Sequence, residues 1–343
     1  MRWQDLYGQL GGRRWTAAVI VAIGLAAAVF AWQPWSVSAS RPTVAVLPLE
    51  TADTREEIRD LADHLGKRFR LLLASRPEIR VIEYESSSSA SIHGLSATEK
   101  ARALAADYLL TGTLSGRGQN LRLSLELHSG GDERLWSDTF EGPVDYQEQL
   151  QGWVLDELLP RLPLGPDALE RMHGVLESCA YPGDTVAILT LARVGRRGGD
   201  SATLAMVAAG HEDASLLHLA KSEFYFEQIP GLSPMERPVI HKLGMQSLGL
   251  AARTCPDYPE VELLRLLHSE QLPLAQAAEF IARHPNSARL NLVLAERHAE
   301  AGSKRRMRAL AREALLLDPL GAETQCRARR LLQAADGAES DCD

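Results

Sequence analysis

Two histidines, His211 and His218, are the first residues whose type and spacing could do chemistry, because imidazole is a common metal ligand. On a helix they would lie two turns apart, about 10 Å along the axis. A zinc site needs three or four convergent ligands, so Glu212 or Glu223 would have to complete the set. A pair with this separation is more typical of surface or packing histidines, and the sequence therefore predicts no metal site.

Gly112, Gly116 and Gly118 resemble a phosphate-binding loop only in their number. A phosphate loop leads from a strand into a helix N-terminus, where free amide groups and the helix dipole hold the anion. Here the pattern after the glycines is again that of a strand. It predicts a β-hairpin and no nucleotide site.

Motifs for covalent or metal-assisted catalysis are missing from the sequence. It contains no GxSxG nucleophile elbow, no HExxH motif and no cysteine in a nucleophilic context. Asp53, Asp60 and Asp63 lie near the start of a predicted helix, where the macrodipole favours negative charge. We therefore expect no catalytic residues and no cofactor, and we predict that the protein is not an enzyme.

The four cysteines, Cys179, Cys255, Cys326 and Cys342, all lie in the second half of the chain and form no CxxC motif. This spacing argues against a thiol redox enzyme or a zinc ribbon. In an oxidising compartment an even number favours disulfides, and four cysteines allow three connectivities. We predict pairing of Cys179 with Cys255 and of Cys326 with Cys342; free thiols are the alternative for the second pair.

The longest apolar stretch, Trp15–Trp32, contains no charged residue. As a helix it would span about 27 Å, which approaches the thickness of the hydrocarbon core of a bilayer. Trp15, Trp32 and Trp35 stand at its two ends, as tryptophans at a membrane interface do. The pattern predicts a transmembrane helix over residues 15–33.

The charges around this stretch predict its orientation. Arg13 and Arg14 precede it, whereas the first basic residue after it is Arg41. Positive charge is retained in the cytoplasm, so residues 1–14 are expected inside and the rest of the chain outside. A signal peptide cleaved near Val37-Ser38-Ala39 is the alternative, but the length of the run and its flanking tryptophans favour retention.

Composition limits the partners of the exported part. The chain is 45% hydrophobic and 24% charged, which is typical of a folded globular protein. Its formal net charge of -8 argues against nonspecific binding to nucleic acid or to anionic lipid. Neither is therefore an expected partner of the exported part.

Residues 42–161 are predicted to form a small α/β domain. Its most regular strand covers 121–128, where leucines alternate with polar residues as in a sheet with one wet face. A closing helix at 146–159 is expected to turn Trp153 inward. The predicted order is βαβαβββα, with the second strand parallel to the first through a right-handed crossover. Further strands are predicted at 43–49, 79–82, 108–114 and 134–140.

Capping boxes predict where two helices of this domain begin. In Thr54 with Glu57, and again in Ser96 with Glu99, a hydroxyl would accept a hydrogen bond from an orphan amide while the glutamate reaches back to the cap. The run Ser86–Ser89 between them is predicted to be a solvated loop.

The order of these motifs resembles a known family. TVAVLPL at 43–49, the helix from Thr54, PEIRVIE at 77–83, and ADYLLTGTLSGRGQNLRLSLELHSGGDERLWSDTFEG from Ala106 are similar to the TolB-N-like, FlgO-related module of bacterial membrane proteins. That module occurs in the extracytoplasmic part of CadC-type regulators, usually ahead of tetratricopeptide repeats. No winged-helix DNA-binding domain precedes the apolar run here, so the resemblance implies an extracytoplasmic sensing or docking module and no nucleic-acid partner.

Residues 165–334 are predicted to be all helical. Pro285 and Pro319 stand 34 residues apart, with a turn at Gly302 between two helical patterns. This period resembles that of tetratricopeptide repeats, whose stacked helix pairs form a solenoid with a groove for peptides. The acidic tail at 335–343 is predicted to be disordered.

The predicted fold class is α+β, with an N-terminal transmembrane helix, a small βαβαβββα mixed-sheet domain and an all-α tetratricopeptide-like solenoid. The expected function is that of a scaffold in the inner membrane of a Gram-negative bacterium, with a cytoplasmic N-terminus and periplasmic domains. It would bind a protein of the cell envelope through its repeat groove. A periplasmic sensor that signals to a separate cytoplasmic protein is the alternative.

Arg305, Arg306, Arg308 and Arg312 make the last predicted repeat basic in an otherwise acidic chain. A solvated helix face is the simplest explanation of these arginines. The sharper hypothesis is a rim that guides an acidic peptide or an anionic glycan into the groove.

Reversing the charges of Arg305, Arg306 and Arg308 is expected to weaken partner capture and to leave the fold intact, because the attraction is lost without a change in the core. Pull-down of the full-length protein from membranes, followed by mass spectrometry, measures the capture. Unchanged capture by the charge-reversed protein would contradict the hypothesis.

Overall fold

The computed structural model describes residues 41–117, 120–131, 133–143, 147–164, 215–256, 258–269 and 272–336. The chain divides into two compact units, Met1–Ser40 and Arg41–Asp343, and every described residue belongs to the second. The predicted segments 1–14 and 15–33 lie outside the described residues, as does 337–343 of the predicted tail.

A five-stranded mixed sheet is built from the first half of this unit, with the strand order β2-β1-β3-β4-β5. β1 pairs in parallel with both β2 and β3, whereas β3, β4 and β5 are antiparallel. The predicted parallel pairing of the first two strands is thus confirmed. The strands are β1 (Thr43–Val46), β2 (Arg80–Val81), β3 (Tyr108–Arg117), β4 (Asn120–Ser129) and β5 (Arg134–Pro143).

The alternation along β4 matches its two environments. Its four leucines, Leu121, Leu123, Leu125 and Leu127, are at most 1% exposed. On the other face, the Nε of Arg122 lies 3.4 Å from a carboxylate oxygen of Glu141 on β5, and both side chains are mostly exposed. At β4 one face of the sheet is therefore buried and the other is exposed to water, as predicted for this strand. At β1 both faces are buried, because a second hydrophobic cluster contains Ala45, Leu47 and Leu109.

The glycines of β3 serve the hairpin and not a phosphate. Gly112 pairs with Leu125 and Gly116 with Leu121 across the β3–β4 ladder, which confirms the hairpin interpretation. A Cβ atom at Gly112 would lie 2.5 Å from the Leu125 side chain, so glycine is required by packing. Gly118 lies outside the described residues.

Two helices cover the apolar face of the sheet. α1 (Glu56–Ala74) buries Leu65 and Phe69 completely, and α4 (Gln147–Leu158) buries Leu150 and Val154. These side chains and the leucines of β4 form one hydrophobic core. Each buried aliphatic or aromatic side chain contributes about 1.5–3 kcal/mol, so this core is a main source of stability.

Trp153 does not belong to that core. It is 48% exposed, so the expectation that it faces inward is wrong. Leu150, Val154 and Leu158 follow one another at intervals of four residues and fill the inner stripe of α4, which leaves Trp153 at the edge of the helix beside Gly142.

The segment between β2 and β3 folds into short helices. They are α2 (Tyr84–Ser87), a 3-10 turn (Ala90–Ile92) and α3 (Ala97–Ala103). The capping box of Ser96 and Glu99 at the start of α3 is confirmed. The predicted solvated serine loop is wrong, because Ser86 and Ser87 are at most 1% exposed and lie in α2.

The capping box predicted at Thr54 and Glu57 is also wrong. α1 begins at Glu56, after Arg55, with no side-chain cap. The Asp53 carboxylate instead accepts a hydrogen bond from the Arg55 amide at 3.0 Å and from the Arg55 guanidinium. These hydrogen bonds hold the pKa of Asp53 well below its usual range, and the guanidinium also donates to the Gly116 carbonyl at 2.6 Å. A tertiary contact of Arg55 thus displaces the local cap.

The predicted fold class needs correction at the membrane-spanning helix. Within the described residues, no helix is both long enough and apolar enough to cross a bilayer. The longest of them, α1, has 19 residues and carries charged side chains from Glu56 to Arg70. What the structure shows is an α+β unit with a mixed sheet and many helices.

The helices after residue 214 pack in chain order. Three hydrophobic clusters follow one another along the chain, the first within residues 219–264, the second within 266–294 and the third within 292–328. The predicted turn at Gly302 is confirmed, with a φ of 71° that favours glycine. These helices are α5 (Ser215–Gln228), α6 (Arg237–Thr254), α7 (Pro259–Leu267), α8 (Leu274–Arg283), α9 (Ala288–Glu300), α10 (Lys304–Leu317) and α11 (Ala322–Asp336).

Asn286, just before α9, covers the outer edge of the sheet. Its side-chain amide nitrogen lies 2.9–3.0 Å from the carbonyl oxygens of Ala74, Arg76 and Ile79. Its side-chain oxygen accepts a hydrogen bond from the Val81 amide at 3.2 Å. The two-residue edge strand β2 thus obtains from one side chain the partners that a further strand would supply.

A buried ion cluster joins α10 to the same edge. Glu313 accepts two hydrogen bonds from the Arg80 guanidinium, both at 3.1 Å, and also pairs with Arg41. Arg80 and Glu313 are each 7% exposed at the side chain, and Arg41 is 13% exposed. Three charges are therefore held largely away from water.

The segment after β2 is tied to the helices through Glu83 and Ser86. The Glu83 amide donates to the Leu317 carbonyl at 2.8 Å, and its carboxylate accepts from the Ala288 amide at 2.9 Å. The Ser86 hydroxyl donates to Asp318 at 2.5 Å. Residues on both sides of the predicted boundary between 161 and 165 thus pack within one compact unit; the boundary itself stays a prediction.

Replacing Glu313 by glutamine is expected to lower the free energy of unfolding by about 3–5 kcal/mol, because two arginines stay buried without a counter-charge. Glu300→Gln is the matched control, since Glu300 pairs with Arg297 on the surface and is 66% exposed. Chemical denaturation of both variants measures the difference. An equal effect of the two substitutions would show that the buried cluster is not a main determinant of stability.

Candidate functional site

The predicted arginine rim lies on α10. Arg305, Arg308 and Arg312 share one face of the helix, whereas Arg306 lies on an adjoining face. Arg305, Arg306 and Arg312 are exposed, and Arg308 donates a hydrogen bond to the Ala335 carbonyl at 3.1 Å. None of the four arginines lines the cavity described below, and their role in partner capture stays a prediction.

Two of the four predicted disulfide cysteines are described. Cys255 and Cys326 are both disulfide-bonded. Cys179 and Cys342 lie outside the described residues, so the predicted pairing stays a prediction. The predicted membrane anchor residues Arg13, Arg14, Trp15, Trp32 and Trp35 also lie outside.

The histidine pair is only half described. His218 is buried on α5, and His211 lies outside the described residues. Across the described ranges, no group of three or more His, Cys, Asp or Glu side chains is arranged to hold a metal ion.

A cavity of about 760 Å³ lies where the sheet-forming half of the unit meets its later helices. We call it the junction cavity. Its walls come from the C-terminal half of α1, the segment after β2, α5, α7, α8 and the starts of α9 and α11. Glu85, Glu227 and Ala322 are exposed lining residues and mark its mouth.

Part of the lining is apolar and held rigidly. Phe280 is 2% exposed, and Phe226 is 6% exposed. The Phe226 ring stacks on His268 with 3.6 Å between ring centroids, and its other neighbour Gly244 has room for no side chain. The ring of Phe226 is therefore tightly packed on both sides. Leu263 completes the apolar surface.

Carboxylates outnumber guanidinium groups around the junction cavity. The carboxylates belong to Glu83, Glu85, Glu223, Glu227, Glu260, Asp318 and Glu323, and the guanidinium groups to Arg70, Arg289 and Arg327.

Several of these groups are already neutralised. Arg70 pairs with Glu83 and donates to the carbonyl oxygens of Ile82 at 3.2 Å and Asn286 at 3.3 Å. Burial raises the pKa of Glu83, and the charge of Arg70 opposes this rise. Arg327 likewise donates to Glu323 at 2.7 Å. The arginines Arg70 and Arg327 are thus committed to structural contacts.

Glu223 on α5 and Glu260 on α7 are two of the cavity carboxylates that form no ion pair within the described ranges. Burial, together with the charges of Glu260 and Glu227, raises the pKa of Glu223 to about 8, and the charge of Lys67 opposes this rise. Burial also raises the pKa of Glu260 to about 7, with Glu83 adding to the rise and Arg70 opposing it. The cavity thus holds carboxylates that repel one another.

Sequence reasoning missed this site. In the sequence, Glu223 is a candidate only as a metal ligand, and no motif marks Glu260. A local signal exists on α5, where Glu223 and Glu227 flank Phe226 at helical spacing. No local pattern could join that helix to Arg70, because the two lie about 150 residues apart in the chain.

Raised pKa values predict that stability falls as the pH rises. An unfolded glutamate loses its proton near 4.5, whereas the folded values are about 8 for Glu223 and about 7 for Glu260. The folded state therefore holds more protons between these limits, and the free energy of unfolding decreases from about pH 5 to about pH 8.

In the variant Glu223→Gln/Glu260→Gln, the free energy of unfolding is expected to change less between about pH 5 and about pH 8 than in wild type, by at least about 1 kcal/mol. This difference corresponds to a few degrees in Tm. Thermal unfolding at both pH values measures it. Glu133→Gln/Glu279→Gln removes two exposed carboxylates outside the cavity and should keep the wild-type dependence. Equal pH dependence in wild type and the cavity variant would show that these carboxylates are not protonated in the folded state.

No protein-family model matches the chain, and no curated protein matches it. Among solved structures, it is similar to the LpoB C-terminal domain from Salmonella enterica, with 18% sequence identity and a TM-score of 0.23. The match covers 32% of this chain and 88% of that domain. The resemblances to the TolB-N-like module and to tetratricopeptide repeats therefore stay interpretations of the residues.

Proposed function

We propose that the protein is an extracytoplasmic interaction protein that binds a segment of a partner protein in the junction cavity. The observation that carries this proposal is the cavity itself, which has about 760 Å³ and an apolar surface beside charged groups. Binding sites typically combine such a volume with an apolar lining and a few polar groups that fix orientation.

The walls of the cavity support binding because they are held in place before a partner arrives. Asn286 lines the cavity and also hydrogen-bonds the turn between α1 and β2. Arg70 lines it and also joins Glu83 to the Asn286 carbonyl. A preformed site loses little conformational freedom on binding, which favours affinity.

The disulfide-bonded state of Cys255 and Cys326 supports an oxidising compartment for the protein. Such bonds persist in oxidising surroundings, which include the bacterial periplasm. The proposal therefore places the protein in the periplasm of a Gram-negative cell, where its partner would be a protein of the envelope. It requires no chemistry to be done on that partner.

A sensor of a small ligand is the second candidate, because the same volume also suits a small molecule. The two candidates differ in what stabilises the protein. A sensor gains thermal stability from a small compound, whereas the interaction protein gains it from a partner segment.

Photo-crosslinking residues placed at Ala322 and Thr324, which line the cavity, are expected to give a discrete adduct with one envelope protein in living cells. The matched control positions are Thr113 and Ser137, which are exposed on the strands β3 and β5 and lie outside the cavity. Mass spectrometry of the full-length protein identifies the adducts.

Charge reversal of Arg305, Arg306 and Arg308 in the same experiment tests whether the arginines of α10 assist capture at the cavity. The proposal fails if the cavity positions give no adduct, or if the control positions give the same adduct with equal yield. A small compound that raises the Tm, in the absence of a cavity adduct, would favour the sensor.

A further inference from the structure

The chemistry of the partner segment can be read from the lining of the junction cavity. Glu223 and Glu260 lie on the helices α5 and α7, which share a hydrophobic cluster, and the charge of Glu260 acts on Glu223. Neither has a cationic partner within 4 Å among the described residues. A cation that enters the cavity would relieve their repulsion.

Within the described residues, no cation around the pair forms an ion pair with either carboxylate. Arg289, which also lines the cavity, is exposed and is not among the charges that act on Glu223 or Glu260. Arg70 is committed to Glu83, and Arg327 is committed to Glu296 and Glu323. The other charged or titratable groups that line the cavity or act on Glu223 are Lys67, Glu83, Glu85, Glu227, His284, Arg289 and Asp318. Lys67 pairs with Asp63 on α1 at 2.9 Å.

The apolar surface beside these carboxylates favours a cation that also carries an apolar group. Phe226 and Glu223 are three residues apart on α5, and Leu263 and Glu260 are three residues apart on α7. Each carboxylate therefore has an apolar neighbour on its own helix face. Lysine and arginine combine a charged head with an apolar stem, so they match both surfaces.

We propose that the partner segment is basic, and that one of its lysine or arginine side chains enters the junction cavity and pairs with Glu223 and Glu260. This inference rests on the proposed function, since it names the chemistry of the segment that binds there. The charged head neutralises the carboxylates, while its stem and the adjoining apolar residues cover Phe226 and Leu263.

Short fluorescent peptides test the inference with the full-length protein. Three peptides share one leucine and differ only in whether the flanking positions hold lysine, glutamine or glutamate. Fluorescence anisotropy is expected to show binding of the lysine peptide and at least about tenfold weaker binding of the other two, as expected for two partly buried charge pairs.

Two matched variants distinguish the effect of the cavity carboxylates on binding from the effect of the net charge of the chain. Glu223→Gln/Glu260→Gln is expected to weaken binding of the lysine peptide at least about tenfold. Glu133→Gln/Glu279→Gln changes the net charge equally and should leave binding unchanged. An equal loss in both variants would overturn the inference, because attraction to the acidic chain as a whole would then explain the binding.

The pH gives a further readout. Binding of the lysine peptide to wild type should strengthen from about pH 6 to about pH 8.5, as the two carboxylates lose their protons and lysine keeps its own. This change should be absent in Glu223→Gln/Glu260→Gln. Binding that does not depend on pH in wild type would contradict pairing with these carboxylates.

The outcome also distinguishes this inference from the proposed function. If crosslinks form at Ala322 but the lysine peptide binds no better than the glutamine or glutamate peptide, the segment is not basic and the interaction function stands. If neither crosslinks nor peptide binding are found, both proposals fail.

Discussion

The two-residue edge strand β2 has a backbone amide on its outer edge that no neighbouring strand of the described sheet can bind. The packing of the later helices against the sheet depends on the side chain that binds this amide. The Val81 amide of β2 would be left without a partner if the side chain of Asn286 did not accept from it. The side-chain nitrogen of Asn286 also donates to three carbonyl oxygens of the turn between α1 and β2. One side chain thus joins the outer edge of the sheet to the segment that leads into α9.

The contacts that close the sheet also shape the junction cavity. Arg70 and Glu83 are hydrogen-bonded to residues at the start of α9, and both line the cavity. Glu313 and Asp318 attach α10 and the segment after it to Arg80 and Ser86. These contacts neutralise Arg70, Glu83 and Glu313, whereas Glu223 and Glu260 line the same cavity without an ion pair among the described residues.

The sequence predicts those features whose physical cause is local. The alternation of Leu121 to Leu127 predicts β4 because burial on one face imposes a period of two, and Ser96 with Glu99 predicts a helix start because the cap is complete within four residues. The failures have distant causes. Thr54 does not cap α1, because Arg55 is hydrogen-bonded to Asp53 and to the Gly116 carbonyl. Ser86 is buried, because its hydroxyl donates a hydrogen bond to Asp318. The candidate site joins α1 to helices far along the chain, which no periodicity can indicate.

The position of Arg41 has a mechanical consequence. This residue begins the compact unit, and its guanidinium contacts Glu313 on α10 as well as the carbonyl oxygens of Pro77 and Ile79. A tensile force applied at Arg41 would act on β1 through the backbone and on α10 through the ion pair with Glu313, so the sheet and the helix would both resist it.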